Sequence, residues 1–112
     1  TLDDFSILQT KSVDFIKCDV EGAELMAFQG GLQTISRDRP IVFSEVLRKW
    51  SSKFNYNPNE IFDLFTAQGY RAFTVNGADL QEFFIMNEST LETNFFFLHK
   101  EKHAKQIKQY CP

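Results

Sequence analysis

Cysteine is scarce in this sequence, and two thiols, Cys18 and Cys111, do not make a disulfide-stapled scaffold. Cys18 sits within an apolar run and reads as a small buried hydrophobe, while Cys111 reads as a free thiol. That usage fits a reducing, cytoplasmic compartment. No stretch approaches 18 consecutive apolar residues, so no membrane-spanning helix is expected. The amino terminus, T-L-D-D, lacks a secretory leader pattern. It also lacks an initiating Met, as expected of a chain trimmed at that end.

Several chemical signatures are missing as well. There is no G-x-G-x-x-G and no P-loop, so no phosphate or dinucleotide cradle is visible. Gly30 and Gly31 fall inside a helical pattern instead of after a strand. No Cys/His zinc spacing and no Ser-His-Asp order present themselves. His99 and His103 stand four apart without a third ligand nearby, so metal is not expected there. Positive charge is not in excess: 12 Lys and Arg face 15 Asp and Glu, and a net charge of −3 argues against a nucleic-acid partner. The basic cluster Lys100, Lys102, Lys105 and Lys108 reads as the solvated face of a terminal helix. Repeats, low-complexity tracts and linkers are absent, and 112 residues allow one domain at most.

What the chain does have is Phe. Thirteen of them supply core-filling rings to a short chain. Residues 1–8 read as a short helix capped by Thr1 and Asp4. Residues 13–18 read as a buried strand, and 19–22, Asp-Val-Glu-Gly, as a polar loop. Leu25, Phe28, Leu32 and Ile35 recur at helical spacing over 23–36, where Gly30 and Gly31 imply a close approach or a break. Ile41, Val42 and Phe43 begin a second buried strand that ends at Glu45. Asn57, Pro58 and Glu60 form a helix-start signal, and Gly69 a stop. A strand over 70–75, a turn at Asn76-Gly77, a short strand or lid-like loop over 83–86, a last strand over 94–99 and a helical tail over 100–112 complete the reading. Alternation of this kind gives an α/β fold with a mainly parallel sheet and an antiparallel edge strand.

Ligands of open α/β sheets sit beyond the carboxyl ends of the strands. That rule selects Asp19 and Glu21 after the first strand and Glu45 after the second. If the two strands are neighbours, three carboxylates share a rim. Such a group can bind a divalent cation such as Mg²⁺, or accept a proton from a hydroxyl. Against this stands a plainer reading, in which Asp19 and Glu21 only cap the next helix and Glu45 pairs with Lys17 or Arg48. Trp50, Phe54 and Tyr56 either line a substrate pocket or fold over a core edge.

The run V-D-F-I-K-C-D-V-E-G-A-E-L over 13–25 resembles the FkbM-type methyltransferase signature D-x-x-K-x-D-V-E-G-A-E. T-L-D-D at 1–4, P-I-V-F-S-E at 40–45, Gly69-Tyr70 and N-F-F-F-L at 94–98 are similar to flanking segments of that family. The resemblance implies the carboxy-terminal half of a class I, Rossmann-like methyltransferase sheet, strands four to seven. It implies S-adenosylmethionine as cofactor, with the Gly-rich cofactor loop in a preceding half, so that this piece alone is inactive. A divalent metal stays open. By position, Asp19 and Val20 fall to the cofactor, Asp19, Glu21 and Glu45 to catalysis, and Glu24 and Trp50 to the acceptor. The acceptor implied is a hydroxyl on a sugar or other natural product. The competing expectations are a non-catalytic interaction module that self-associates through an exposed sheet edge, and a Mg²⁺-dependent hydrolase or phosphotransferase. Neither nucleic acid nor membrane is expected as a partner.

Overall fold

The computed structural model of the chain describes residues 13–18, 24–46, 57–87 and 90–111. In chain order the elements are β1 (Phe15–Cys18), α1 (Glu24–Gly30), α2 (Leu32–Asp38), β2 (Ile41–Glu45), α3 (Asn59–Ala67), β3 (Tyr70–Asn76), β4 (Asp79–Phe83), β5 (Asn94–His99) and α4 (Ala104–Tyr110). The helix expected over 1–8 lies outside the described residues. The five strands form one sheet in the order β1-β2-β5-β3-β4.

The sheet is mixed, which corrects the expectation of a mainly parallel one. β1 and β2 pair in parallel, whereas β2–β5, β5–β3 and β3–β4 are antiparallel. β1, β2 and β3 do run in the same direction. The connection from β4 returns the chain to their carboxyl ends, so β5 enters from there and runs against both neighbours. The antiparallel strand expected at the edge is therefore interior, and β4 is the antiparallel edge.

Side-chain alternation splits the core between the two faces. On the first, Cys18, Val42, Phe95, Phe97 and Tyr70 meet Leu25 and Phe28 of α1, Ile35 of α2, and Ile61, Phe62 and Phe65 of α3. On the second, Phe73 and Leu98 meet Ile107 of α4, with Ile41, Leu80 and Phe96 alongside. Three helices cover the first face and one covers the second, so Phe15 and Val75 stay more than half exposed.

Glycine marks three boundaries between elements. The helical pattern over 23–36 breaks at Gly31, whose N–H turns back to the Phe28 carbonyl at 3.1 Å and begins α2 afresh. Gly69 ends α3 at φ +85°, and a Cβ built there would lie 2.9 Å from His99 Nε2. Gly69→Ala is therefore expected to cost about 1–3 kcal/mol, from a left-handed backbone together with a displaced ring. Urea titration of the variant measures this, and a loss below the lower figure would show that the ring yields freely. The hairpin loop between β3 and β4 is Gly77-Ala78, one place later than Asn76-Gly77. Only Gly77 takes positive φ, the type II′ arrangement.

Candidate functional site at the carboxyl ends of β1 and β2

The apolar run that makes β1 and the I-V-F-S-E run that makes β2 are neighbours, and they end level. Cys18 pairs with Ser44, each one residue short of an acidic position, Asp19 and Glu45. Glu45 closes β2 opposite Asn94, the first residue of β5. It continues the row of Ile41 and Phe43 on the second face and is half-buried. The backbone around it is fixed from both sides. The Val46 N–H donates to the Thr93 carbonyl at 2.7 Å, and the fully buried Ser44 hydroxyl donates to the Glu45 carbonyl at 3.2 Å. A carboxylate held this way at a strand end can take up a proton from a hydroxyl placed above the rim. Asp19, Val20, Glu21 and Trp50, with Arg48, Phe54 and Tyr56, lie outside the described residues. Lys17 is exposed.

Glu24 starts α1 and is only 2% exposed, packed in the layer that holds Leu25 and Phe28. A negative charge in the first turn is favoured by the unpaired N–H groups there.

The start of α3 frames the same end of the sheet. Asn57, Pro58 and Glu60 act as their spacing implies. Asn57 Oδ1 accepts from the Asn59 N–H at 2.9 Å, and Glu60 Oε2 accepts from the Asn57 N–H at 3.0 Å. Asn59 adds something the sequence reading missed. Its amide Nδ2 donates to the Met86 carbonyl at 2.8 Å, and its Oδ1 accepts from the Met86 N–H at 2.8 Å. This side chain copies a backbone partner and pins the segment after β4 to the helix start. Residues 84–87 form no strand; Met86 is buried, while Phe84 and Ile85 face solvent.

Two other polar groups proved structural. Asp38 Oδ2 accepts from the Val13 N–H at 2.9 Å, and Arg37 grips both carboxylate oxygens at 2.7 Å. The bond from Arg37 does most to hold this carboxyl below the usual carboxylate range. The Lys102 ammonium donates to the Asp38 carbonyl. His99 and His103, dismissed as metal ligands, are both buried and bind backbone N–H groups instead. Among the described residues no cluster of three or more His, Cys, Asp or Glu could hold a metal ion. Among them, too, no helix is long and apolar enough to cross a membrane.

The family model described as "Methyltransferase FkbM domain" matches residues 1–72, which is 72 of the 112 residues. The match takes in β1, α1, α2, β2 and α3 and stops early in β3. No curated protein and no solved structure matches the chain.

Proposed function

We infer, because this chain belongs to the FkbM methyltransferase family, that the protein moves a methyl group from S-adenosylmethionine to a hydroxyl of a sugar or other natural product. The observation that carries the reading is the match over 1–72, which spans the D-V-E-G-A-E run and the strand ending in Glu45. Strand order supports a Rossmann-like half-sheet. Under this reading β1, β2, β3 and β5 would stand for the fourth to seventh strands, with β4 as an added hairpin arm.

When bound, S-adenosylmethionine supplies a methyl already activated by its sulfonium. The protein's share is then to align the acceptor oxygen with that carbon and to take away the hydroxyl proton. We assign the proton to Asp19 or Glu21, with Glu45 as a further candidate. Val20 and Asp19 would border the cofactor, and Glu24 and Trp50 the acceptor. Glu24, being buried, would act from beneath the site by fixing the start of α1. The Gly-rich cofactor loop would come from a further part of the protein, so that these 112 residues bind no cofactor by themselves.

Isothermal titration calorimetry with S-adenosylmethionine tests this directly. The full-length protein is expected to bind with a Kd on the order of micromolar, about −8 kcal/mol. The 112-residue chain is expected to give no heat beyond dilution. A full-length protein that fails to bind would remove the methyltransferase reading. One observation favours a second reading, an interaction module: the second face of the sheet is half covered, with Phe15 and Val75 exposed. Under that reading sedimentation gives dimers or larger species, and a clean monomer counts against it.

A further inference from the structure

The turn between β5 and α4 is built on two histidines that act only as acceptors at Nδ1. The His99 N–H donates to His103 Nδ1 at 2.8 Å, and the His103 N–H returns to the His99 carbonyl at 2.9 Å. His99 Nδ1 in turn accepts from the Glu101 N–H at 3.1 Å and the Lys102 N–H at 3.2 Å. The three bonds that end on Nδ1 use a ring lone pair that exists only when that nitrogen carries no proton. Both rings are therefore neutral, with the proton on Nε2. That side of His99 is enclosed: it faces the Gln68 backbone and lies against Gly69. The Tyr70 ring packs edge-on, 5.4 Å between centroids.

The charged groups around the pair disfavour a further positive charge. Arg39 after α2 faces both rings. Lys100 faces His99, and Lys102 faces His103. Among the described residues Glu101 is the opposing charge acting on His99, and the phenol of Tyr70 is neutral. The Asp38 carboxylate is taken up by Arg37 and the Val13 N–H.

What this turn positions is α4. His103 immediately precedes the helix and caps it from inside, its carbonyl accepting from the Ile107 N–H at 2.9 Å. Ile107 and Cys111 then lie against Phe73 and Leu98. Gln106 and Tyr110 form one wall of an apolar groove of about 340 Å³, whose other walls include Phe15, Ile41, Leu80 and Phe96. α4 is thus the cover of the second face, and it hangs on two imidazole lone pairs.

We propose that His99 and His103 are an acid-released latch: protonation of their Nδ1 atoms breaks the turn and lifts α4 from the sheet, opening the groove while the first face stays folded. In the closed state burial pushes His103 down to about 4, and burial lowers His99 as well. In the open state both return toward their ordinary value near 6.5. Opening then takes up protons, so it is favoured as pH falls below about 6.5 and levels off below the closed-state values. His103 alone raises the opening constant roughly thirtyfold between pH 7.5 and pH 5.

The test labels the protein with 4,4′-dithiodipyridine at a series of pH values and reads Cys18 and Cys111 separately by peptide mass spectrometry. Rates are divided by those of a free thiol peptide at the same pH. The latch predicts that Cys111, half-buried in the closed state, becomes more reactive toward pH 5 while buried Cys18 stays protected. In His103→Asn the amide oxygen replaces Nδ1 as an acceptor that does not titrate, so the climb should shrink, and His99→Asn/His103→Asn should flatten it. Ring titration of the unaltered protein by NMR gives a readout independent of the variants. The two histidine midpoints should coincide with the Cys111 midpoint. A flat Cys111 profile, simultaneous exposure of both thiols, or histidine midpoints away from the opening transition would each overturn the proposal.

Discussion

Replacing Phe65 with Ala is expected to remove about 3–5 kcal/mol of stability, a large share of what a domain of this size possesses. Phe65 is 1% exposed and sits where helix layer and sheet meet. Its ring stacks on Phe97 at 4.3 Å and meets Phe28 at 4.8 Å and Tyr70 at 5.2 Å edge-on. Truncation takes away all three contacts and leaves a void bordered by stiff rings, which cannot collapse into it. Thermal unfolding should move down by about 15 °C or more. Phe65→Leu should lose clearly less, since most of the buried volume remains. If the Ala variant loses less than about 1 kcal/mol, the first face is loosely packed and the layer arrangement described above is wrong.

The second large effect concerns the acidic rim, and it rests on the methyl-transfer reading. In full-length protein, Asp19→Asn and Glu21→Gln are near-isosteric, and each removes one proton acceptor. One of the two should lower kcat about 10²–10⁴-fold with little change in cofactor affinity, since general-base assistance is of that size. The same variant should lose the acidic limb of the pH–rate profile. Glu45→Gln should have a smaller effect on kcat. Rates within about threefold of the parent for both Asp19→Asn and Glu21→Gln would exclude a catalytic base from this loop. A simple helix-capping role predicts a different pattern, a modest loss of stability with kcat unchanged.

Much of this architecture was readable from local signals. The Asn57-Pro58-Glu60 start of α3, the Gly69 stop and the strands ending at Cys18, Glu45 and His99 all follow from capping chemistry and short apolar runs. The parallel pairing of β1 and β2 fits the strand-helix-strand alternation, whereas their level ends come only from the pairing register. Sheet order did not follow. Whether β5 lies at an edge or in the interior depends on how the segment from Phe84 onward crosses the fold, and the Asn59–Met86 pairing that fixes part of that path joins residues 27 apart. No local signal marks Asn59 as different from any polar residue in a first helical turn. The histidine pair was hidden for a similar reason. That His99 ends a strand was readable, but the bonds from backbone N–H groups to the two Nδ1 atoms depend on the turn that joins β5 to α4. At the site itself, residue types and their place after each strand were legible, because strand ends are set by where apolar runs stop.

The interior place of β5 has a consequence for how the chain is made. Phe95 and Phe97, both fully buried, sit between β2 and β3, yet they follow both strands in the chain and leave the ribosome after them. Until they emerge, β2 and β3 have no shared neighbour and Phe62 and Phe65 lack the rings of Phe95 and Phe97 to pack on. A nascent chain stalled before Asn94 therefore holds a parallel pair and a hairpin with apolar flanks uncovered. Closure of this sheet should therefore wait for β5 to emerge, and chains arrested before it should be the form that chaperones hold.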